Sequence, residues 1–204
     1  MYKRRIKRIV DIVAALGVLI VFSPIILVVT LILIYINKGK PFFYQDRPGK
    51  NEQIFTLMKF KTMTDEKDEN GNLLPNERRV TPFGLFIRKT SIDELPQAFN
   101  ILKGDMSLIG PRPLLIRYLP YYTEQERIRH SVRPGITGLA QVSGRNTLHW
   151  DERLAYDIEY VKGLSLWNDV IILFRTVKKV FKSEDIILDQ ETIMPDLDDY
   201  RRNK

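Results

Sequence analysis

The chain contains no cysteine. A disulfide framework and thiolate metal sites are therefore excluded, and this absence leaves the compartment open. Histidine is nearly as scarce, since only His130 and His149 could offer an imidazole to a metal. A resident ion is then expected to be a hard one held by carboxylates and phosphate, such as Mg²⁺. Internal repeats and low-complexity tracts are missing too, which excludes a repeat array. Beyond Asn37 there is no second long apolar run, so the remainder is expected to be a cytoplasmic globule.

A length of 204 residues allows one domain with a real core. The formal net charge is +7. A basic surface can serve solubility, nucleic acid or an anionic membrane surface, and charge alone does not choose among them. The aromatic residues are not arranged as a base-stacking platform, which counts against nucleic acid as a partner.

The one long apolar run extends from Ile12 to Ile36, interrupted only by Gly17, Ser23, Pro24, Thr30 and Tyr35. It is long enough to cross a bilayer, which takes ~20 residues. It is too long for the apolar part of a secretory signal, and no small-residue cleavage site follows it. Lys3, Arg4, Arg5, Lys7 and Arg8 precede it; Lys38, Lys40, Arg47 and Lys50 follow it. Positive charge marks the cytoplasmic side, and here both ends carry it. Ser23-Pro24 lies near the middle, where proline removes an N–H and kinks or breaks the helix. The Ser23 hydroxyl could satisfy a backbone group freed by that break. A re-entrant hairpin with both ends cytoplasmic accounts for the charge and the proline together. A tilted, kinked spanning helix is the alternative.

In the remainder, residues 41–45 and 53–60 read as short extended segments around a Pro48-Gly49 turn. Residues 65–76 read as an exposed loop centred on Asn70-Gly71. Residues 94–103 have helical spacing, with Gly104 placed as a C-cap. Asp93 is the expected N-cap, with Pro96 in the first turn; Ser91 with Glu94 as a capping box is the rival start. Residues 113–122 read as a helix, either interfacial or an ordinary amphipathic core helix. Residues 133–138 read as a turn-rich loop, and 150–160 and 167–181 as two further helices. The tail from Ser183 onward, with Asp196, Asp198 and Asp199, reads as polar and peripheral.

Asp93-Glu94 is the first candidate for chemistry. Adjacent carboxylates on a helix diverge by ~100°, so a division of labour is natural. One can attack phosphorus while the other binds metal or handles a proton. A helix dipole and nearby cations would keep Asp93 ionised. An acidic pair at a helix start is more often just a cap. Arg88 and Lys89 precede the pair and Arg112 follows it in a Gly-Pro-Arg-Pro turn. Arginine binds phosphate oxygens with two parallel bonds, and phosphoryl transfer needs little beyond positioning and charge neutralisation. Surface ion pairs are the competing reading of these cations. Lys59, between Met58 and Phe60 in an expected strand, has the same ambiguity.

Longer blocks reduce that ambiguity. Residues 90–97 (TSIDELPQ) and 100–113 (NILKGDMSLIGPRP) resemble the bacterial sugar transferase family, the monotopic polyprenyl-phosphate phosphoglycosyl transferases. Residues 45–49 (QDRPG), 59–63 (KFKTM) and 133–145 (RPGITGLAQVSGR) match its other motifs. The resemblance covers nearly the whole chain to about Phe181. It implies a two-step reaction in which Asp93 attacks the β-phosphate of a UDP-sugar, releases UMP and carries the phosphosugar. Undecaprenyl phosphate then accepts it. It implies Mg²⁺ near Asp93 and Glu94, with Lys59, Arg88 and Arg112 on phosphate groups. It also implies a re-entrant break at Ser23-Pro24, bilayer lipids as partners and a site on the cytoplasmic face of the bacterial inner membrane. Other glycan-assembly enzymes are possible partners. Among small members the chain is most similar to those acting on UDP-N,N′-diacetylbacillosamine in protein glycosylation. It is expected to be the catalytic core alone, without the extra spanning helices of larger members. Lys61 stands where arginine is frequent and Ala98 where leucine is frequent. Asp157 and Asp169 fall in matching segments without an assignable role.

The expected fold class is therefore α+β. A re-entrant membrane hairpin (1–37) would be joined to a mainly helical cytoplasmic catalytic domain with short strands and interfacial amphipathic helices (38–182). A polar tail (183–204) would follow.

Overall fold

A computed structural model describes residues 2–144, 148–182 and 195–202. The apolar run forms two helices, α1 (Lys7–Val21) and α2 (Ser23–Ile36), bent by 64° at their junction. The cause is local. Pro24 has no N–H to give to the Ile20 carbonyl four residues back, and the Ser23 hydroxyl donates to that carbonyl instead (2.8 Å). Among the described residues no single helix is long and apolar enough to cross a membrane; α1 and α2 qualify only as a bent pair.

Both limbs return to the same body of protein. On α1, Ala15 is buried against Phe55, Leu57, Ala98, Ile101 and Met106. Arg8 donates to the Ile101 and Leu102 carbonyls (2.6 and 3.0 Å), closing the end of the helix that contains them. Asp11 is buried and accepts from the Ser107 hydroxyl (2.9 Å) and the Leu108 amide (3.0 Å). Lys7 pairs with Asp169 at 2.7 Å, and the Tyr2 hydroxyl donates to the same carboxylate. On α2, Val29 and Leu33 are buried with Phe60 and Ile87, and the Asn37 amide donates to the Lys61 carbonyl (2.9 Å). Asp169 therefore ties the start of α1 to the globule.

The hairpin expected around Pro48-Gly49 forms from β1 (Phe42–Pro48) and β2 (Ile54–Phe60), antiparallel, with Phe43 opposite Lys59. After it come α3 (Asn76–Arg79), α4 (Pro82–Lys89), a 3-10 turn over Ile92–Glu94 and α5 (Gln97–Lys103). Gly104 ends α5 in the left-handed region (φ 102°), as its sequence position suggests. The chain continues through β3 (Ser107–Ile109), α6 (Glu124–Arg127), β4 (Gly135–Thr137), α7 (Leu139–Ser143), α8 (Trp150–Lys162), α9 (Leu166–Lys182) and α10 (Leu197–Arg202).

Three local expectations are corrected. Residues 133–138 contain β4, which pairs in parallel with β3. Three residues are too few for alternation to show, and the pairing depends on glycine. A Cβ on Gly135 would lie 2.1 Å from the Gly110 amide nitrogen. Residues 113–122 form a 3-10 helix only over Ile116–Tyr121, since Pro120 inside it supplies no N–H. Tyr118 and Tyr122 are buried against Trp150 and Leu154, so this segment belongs to the core. The tail is not wholly peripheral. Leu197 of α10 is fully buried in that cluster, and the Trp150 indole donates to the Pro195 carbonyl (2.8 Å). Residues 183–194 lie outside the described residues.

Candidate active site

Strand alternation sets the first functional side chain. Phe55, Leu57 and Lys59 share one face of β2; the first two enter the core, and Lys59 emerges into a cleft. Its ammonium lies 2.6 Å from Glu94 Oε1, with only 18% and 17% of the two side chains exposed. Arg112 Nη2 approaches the same oxygen at 3.1 Å. Arg88, in the last turn of α4, donates through Nε to the Thr62 hydroxyl (2.7 Å). Asp93, Glu94, Lys59, Arg88 and Arg112 all line this one cleft of about 750 Å³. Nine basic side chains face four acidic ones in its lining, so an anionic ligand is favoured there.

The backbone around the carboxylates differs from the expected helix start. Asp93 is not an N-cap. It sits within the 3-10 turn, and α5 begins only at Gln97, with Pro96 at its N-cap position. Neither Asp93 nor the rival Ser91 makes a side-chain cap bond; Ser91 instead takes a left-handed conformation (φ 56°). A 3-10 turn has three residues per turn, so neighbouring carboxylates diverge by roughly 120°. Glu94 is thereby turned towards Lys59 and Arg112, while the Asp93 carboxylate is in no hydrogen bond or ion pair among the described residues.

The charges of the two carboxylates separate accordingly. Burial, and next the neighbouring Glu94 charge, push Asp93 up to about 6 against the pull of Lys59, Arg88 and Arg112. This reverses the expectation that cations and a helix dipole hold it low, because burial and the Glu94 charge outweigh the three cations. Burial alone would raise Glu94 as well, but Lys59 and Arg112 hold it at about 2. Glu94 is thus the fixed anion that organises two cations, and Asp93 is a partner-free carboxylate with a pKa close to neutral.

The donor set fits a hard divalent cation. Asp93 offers both oxygens, and Glu94 Oε2 is left over from its ion pairs. Two carboxylates do not form a closed cage, but Mg²⁺ is commonly held by one or two carboxylates together with substrate phosphates. Neither histidine lines the cleft. His130 is buried beside the Tyr122 ring (5.5 Å), and His149 is the N-cap of α8. Among the described residues the one cluster of three acidic groups is Asp196, Asp198 and Asp199, where Arg117 already pairs with Asp196 and Asp198.

Sequence reasoning missed the layer beneath the turn that bears Arg112. Arg129 is 3% exposed. It donates to the Arg112 carbonyl through Nη2 (2.7 Å) and to Asp157 Oδ2 through Nε and Nη2 (3.0 and 2.8 Å). Asp157 lies on the buried stripe of α8 with Trp150, Leu154 and Tyr160. A carboxylate inside an apolar helical stripe is the signal that was available. Arg47, read from the sequence only as a flanking charge and part of the QDRPG block, lines the cleft wall from β1.

Residues 2–183 match the Bacterial sugar transferase family. The chain is 53% identical over 182 residues to the uncharacterized sugar transferase EpsL of Bacillus subtilis, covering 89% of this chain and 90% of that protein. It is 41% identical over 199 residues to the undecaprenyl-phosphate galactose phosphotransferase of Salmonella typhimurium, covering 89% of this chain and 41% of that protein. It is 40% identical over 187 residues to the UDP-N-acetylgalactosamine-undecaprenyl-phosphate N-acetylgalactosaminephosphotransferase of Aeromonas hydrophila, covering 86% of this chain and 43% of that protein. The chain thus spans about two fifths of the length of the latter two. With nearly all of its residues matched and more than half identical to one full-length relative, the chain belongs to the bacterial sugar transferase family.

Proposed function

We propose that this enzyme transfers a phosphosugar from a UDP-sugar to undecaprenyl phosphate in two steps. The observation that carries the reading is the partner-free Asp93 carboxylate facing Lys59, Arg88 and Arg112 in a basic cleft. An Asp93 oxygen attacks the β-phosphorus. The bond from that phosphorus to the bridging oxygen breaks, and UMP leaves with the electron pair. An oxygen of undecaprenyl phosphate then attacks the phosphorus of the aspartyl-phosphosugar and returns Asp93 to its carboxylate. Lys59 and Arg112, preset by Glu94, and Arg88, held by Thr62, neutralise phosphate oxygens without reorganising. A Mg²⁺ held by Asp93 and Glu94 would supply further charge neutralisation at the diphosphate.

Two of the relatives named above bear the names of galactose and N-acetylgalactosamine transferases, while the small-member resemblance implies UDP-N,N′-diacetylbacillosamine. Release of UMP from a panel of these donors and UDP-glucose, with and without undecaprenyl phosphate, tests the reaction and selects the sugar. The expected result is release from at least one donor, with sustained turnover only when the acceptor is present. Absence of UMP from every donor would remove the proposal.

The same reading places α1 and α2 in the inner membrane as a re-entrant hairpin, with the globule on the cytoplasmic face. Two observations support it. Both limbs are anchored to one globule, through Asp11 and Arg8 on one side and Leu33 and Asn37 on the other. Between the anchors the helices expose Val13, Ile20, Val21, Leu27 and Leu31, a surface suited to lipid. A lipid-linked acceptor and an aqueous donor can meet only at such a boundary. Because the chain has no cysteine, Lys3→Cys and Lys50→Cys each give a single label site. Both are expected to resist external membrane-impermeant maleimide in intact cells; opposite accessibility would establish a span.

A further inference from the structure

Arg47 is a further cation that lines the cleft beyond the Asp93-Glu94 pair and its partners. Arg47 lies near the end of β1, and its Nη2 donates to Gln45 Oε1. Its Nε is buried and has no hydrogen-bond partner. Among the described residues no carboxylate pairs with it, and the ionised side chain acting on it most strongly is another guanidinium, Arg112. Burial, followed by the Arg112 charge, brings Arg47 down to about 10. A cation that lines the cleft with no carboxylate beside it and a second guanidinium acting on it is unfavourable, and a single anion in the cleft relieves this.

The charges of the cleft also fall into two interacting sets. Those acting on Asp93 are Glu94, Lys59, Arg88 and Arg112. Those acting on Arg47 are Arg112, Tyr118 and Tyr122. Arg112 is common to both sets and half exposed, so its charge acts on the reacting carboxylate and on Arg47 alike. A diphosphate is a ligand with two anionic centres a few ångström apart. Placed across Arg112, it would put one phosphate before Asp93 and the other against Arg47.

We propose that Arg47, together with Arg112, forms a second phosphate subsite that binds the phosphomonoester of the departing nucleotide. This rests on the transfer reading given above. As the bond between the β-phosphorus and the bridging oxygen breaks, negative charge collects on the phosphate that becomes UMP. The Arg47 and Arg112 guanidinium groups donate to that phosphate, so the leaving group is stabilised where its charge develops. No proton transfer to UMP is needed.

In a two-step mechanism, kcat/KM for the donor reports only the first half-reaction and kcat/KM for the acceptor only the second. In the full chain with Mg²⁺, Arg47→Gln is expected to lower kcat/KM for the UDP-sugar roughly 10- to 100-fold. The value for undecaprenyl phosphate should stay within about three-fold. Arg47→Lys should recover part of the loss, since it restores charge but not the planar guanidinium fork. UMP binding by the Asp93→Asn protein, measured by equilibrium dialysis, should weaken by the same factor when Arg47→Gln is added, with the thermal melt as the control for folding. An unchanged donor kcat/KM, an unchanged UMP affinity, or a loss confined to the acceptor would overturn the subsite; the last would assign it to the lipid phosphate. If the parent protein releases no UMP from any donor, it is the transfer reading that has failed, which is a separate result.

Discussion

Asp93→Asn is expected to abolish sugar-phosphate transfer, with a loss on the order of 10⁴ or more as for other removed nucleophiles, while the protein stays folded and membrane-bound. The amide is nearly isosteric but cannot form the acyl phosphate. The stability side of this prediction follows from the charge of the site. Asp93 sits at about 6, above its ordinary 3.8. The folded state therefore holds its proton more tightly than the unfolded chain. Between those two values stability from this group falls as pH rises, so at neutral pH the ionised carboxylate is a cost to the fold. Replacing it with a neutral amide should leave the melting temperature at pH 7.5 unchanged or higher. Donor half-reaction rates of the parent enzyme should fall on acidification with an acid limb at or below 6, since a cation bound beside Asp93 would lower it further. Glu94, held at about 2, stays ionised throughout that range. Retained UMP release by the Asn variant would remove Asp93 as the nucleophile, and a sharply lowered melting temperature would contradict the description of its environment.

The second large effect is structural. Asp157→Asn should destabilise the protein by about 3–5 kcal/mol, as expected when one partner of a buried ion pair is removed. Arg129 would then keep its buried charge, with the Arg112 carbonyl and a distant Tyr122 hydroxyl (3.5 Å) as its other hydrogen-bond partners. In a protein of this size that corresponds to a fall in melting temperature of roughly 6–20 °C. The double variant Arg129→Met with Asp157→Leu removes both charges and should regain most of the stability. It should not regain activity, because the turn bearing Arg112 would still lack the bond to its carbonyl. Equal recovery of stability and of kcat/KM would show that Arg129 serves the fold alone. A melting temperature unchanged in the single variant would show that the pair is not buried as described.

Much of the architecture could be read along the chain where the pattern was long or the chemistry singular. The bend at Ser23-Pro24 follows from one missing N–H, and the hydroxyl that replaces it is the adjacent residue. The hairpin around Gly49, the end of α5 at Gly104 and helices α8 and α9 follow from turn residues and apolar periodicity. The short elements could not be read in this way. β3 and β4 have three residues each and exist because Gly110 and Gly135 let two backbones touch. The segment before α5 looked like a helix start, but Pro96 can donate no hydrogen bond to Ile92, and the backbone tightened into a 3-10 turn.

For the site, the sequence alone singled out Lys59, Arg88, Asp93, Glu94 and Arg112 as candidates, and all five line one cleft. The tertiary structure decided how their charges are shared. Which carboxylate is paired, which is left bare, and which arginine is held from beneath depend on distances between segments far apart in the chain, such as Lys59 with Glu94 and Arg129 with Asp157. Electrostatic energy depends on separation in space and on burial, and neither is encoded in the order of residues until the chain has packed.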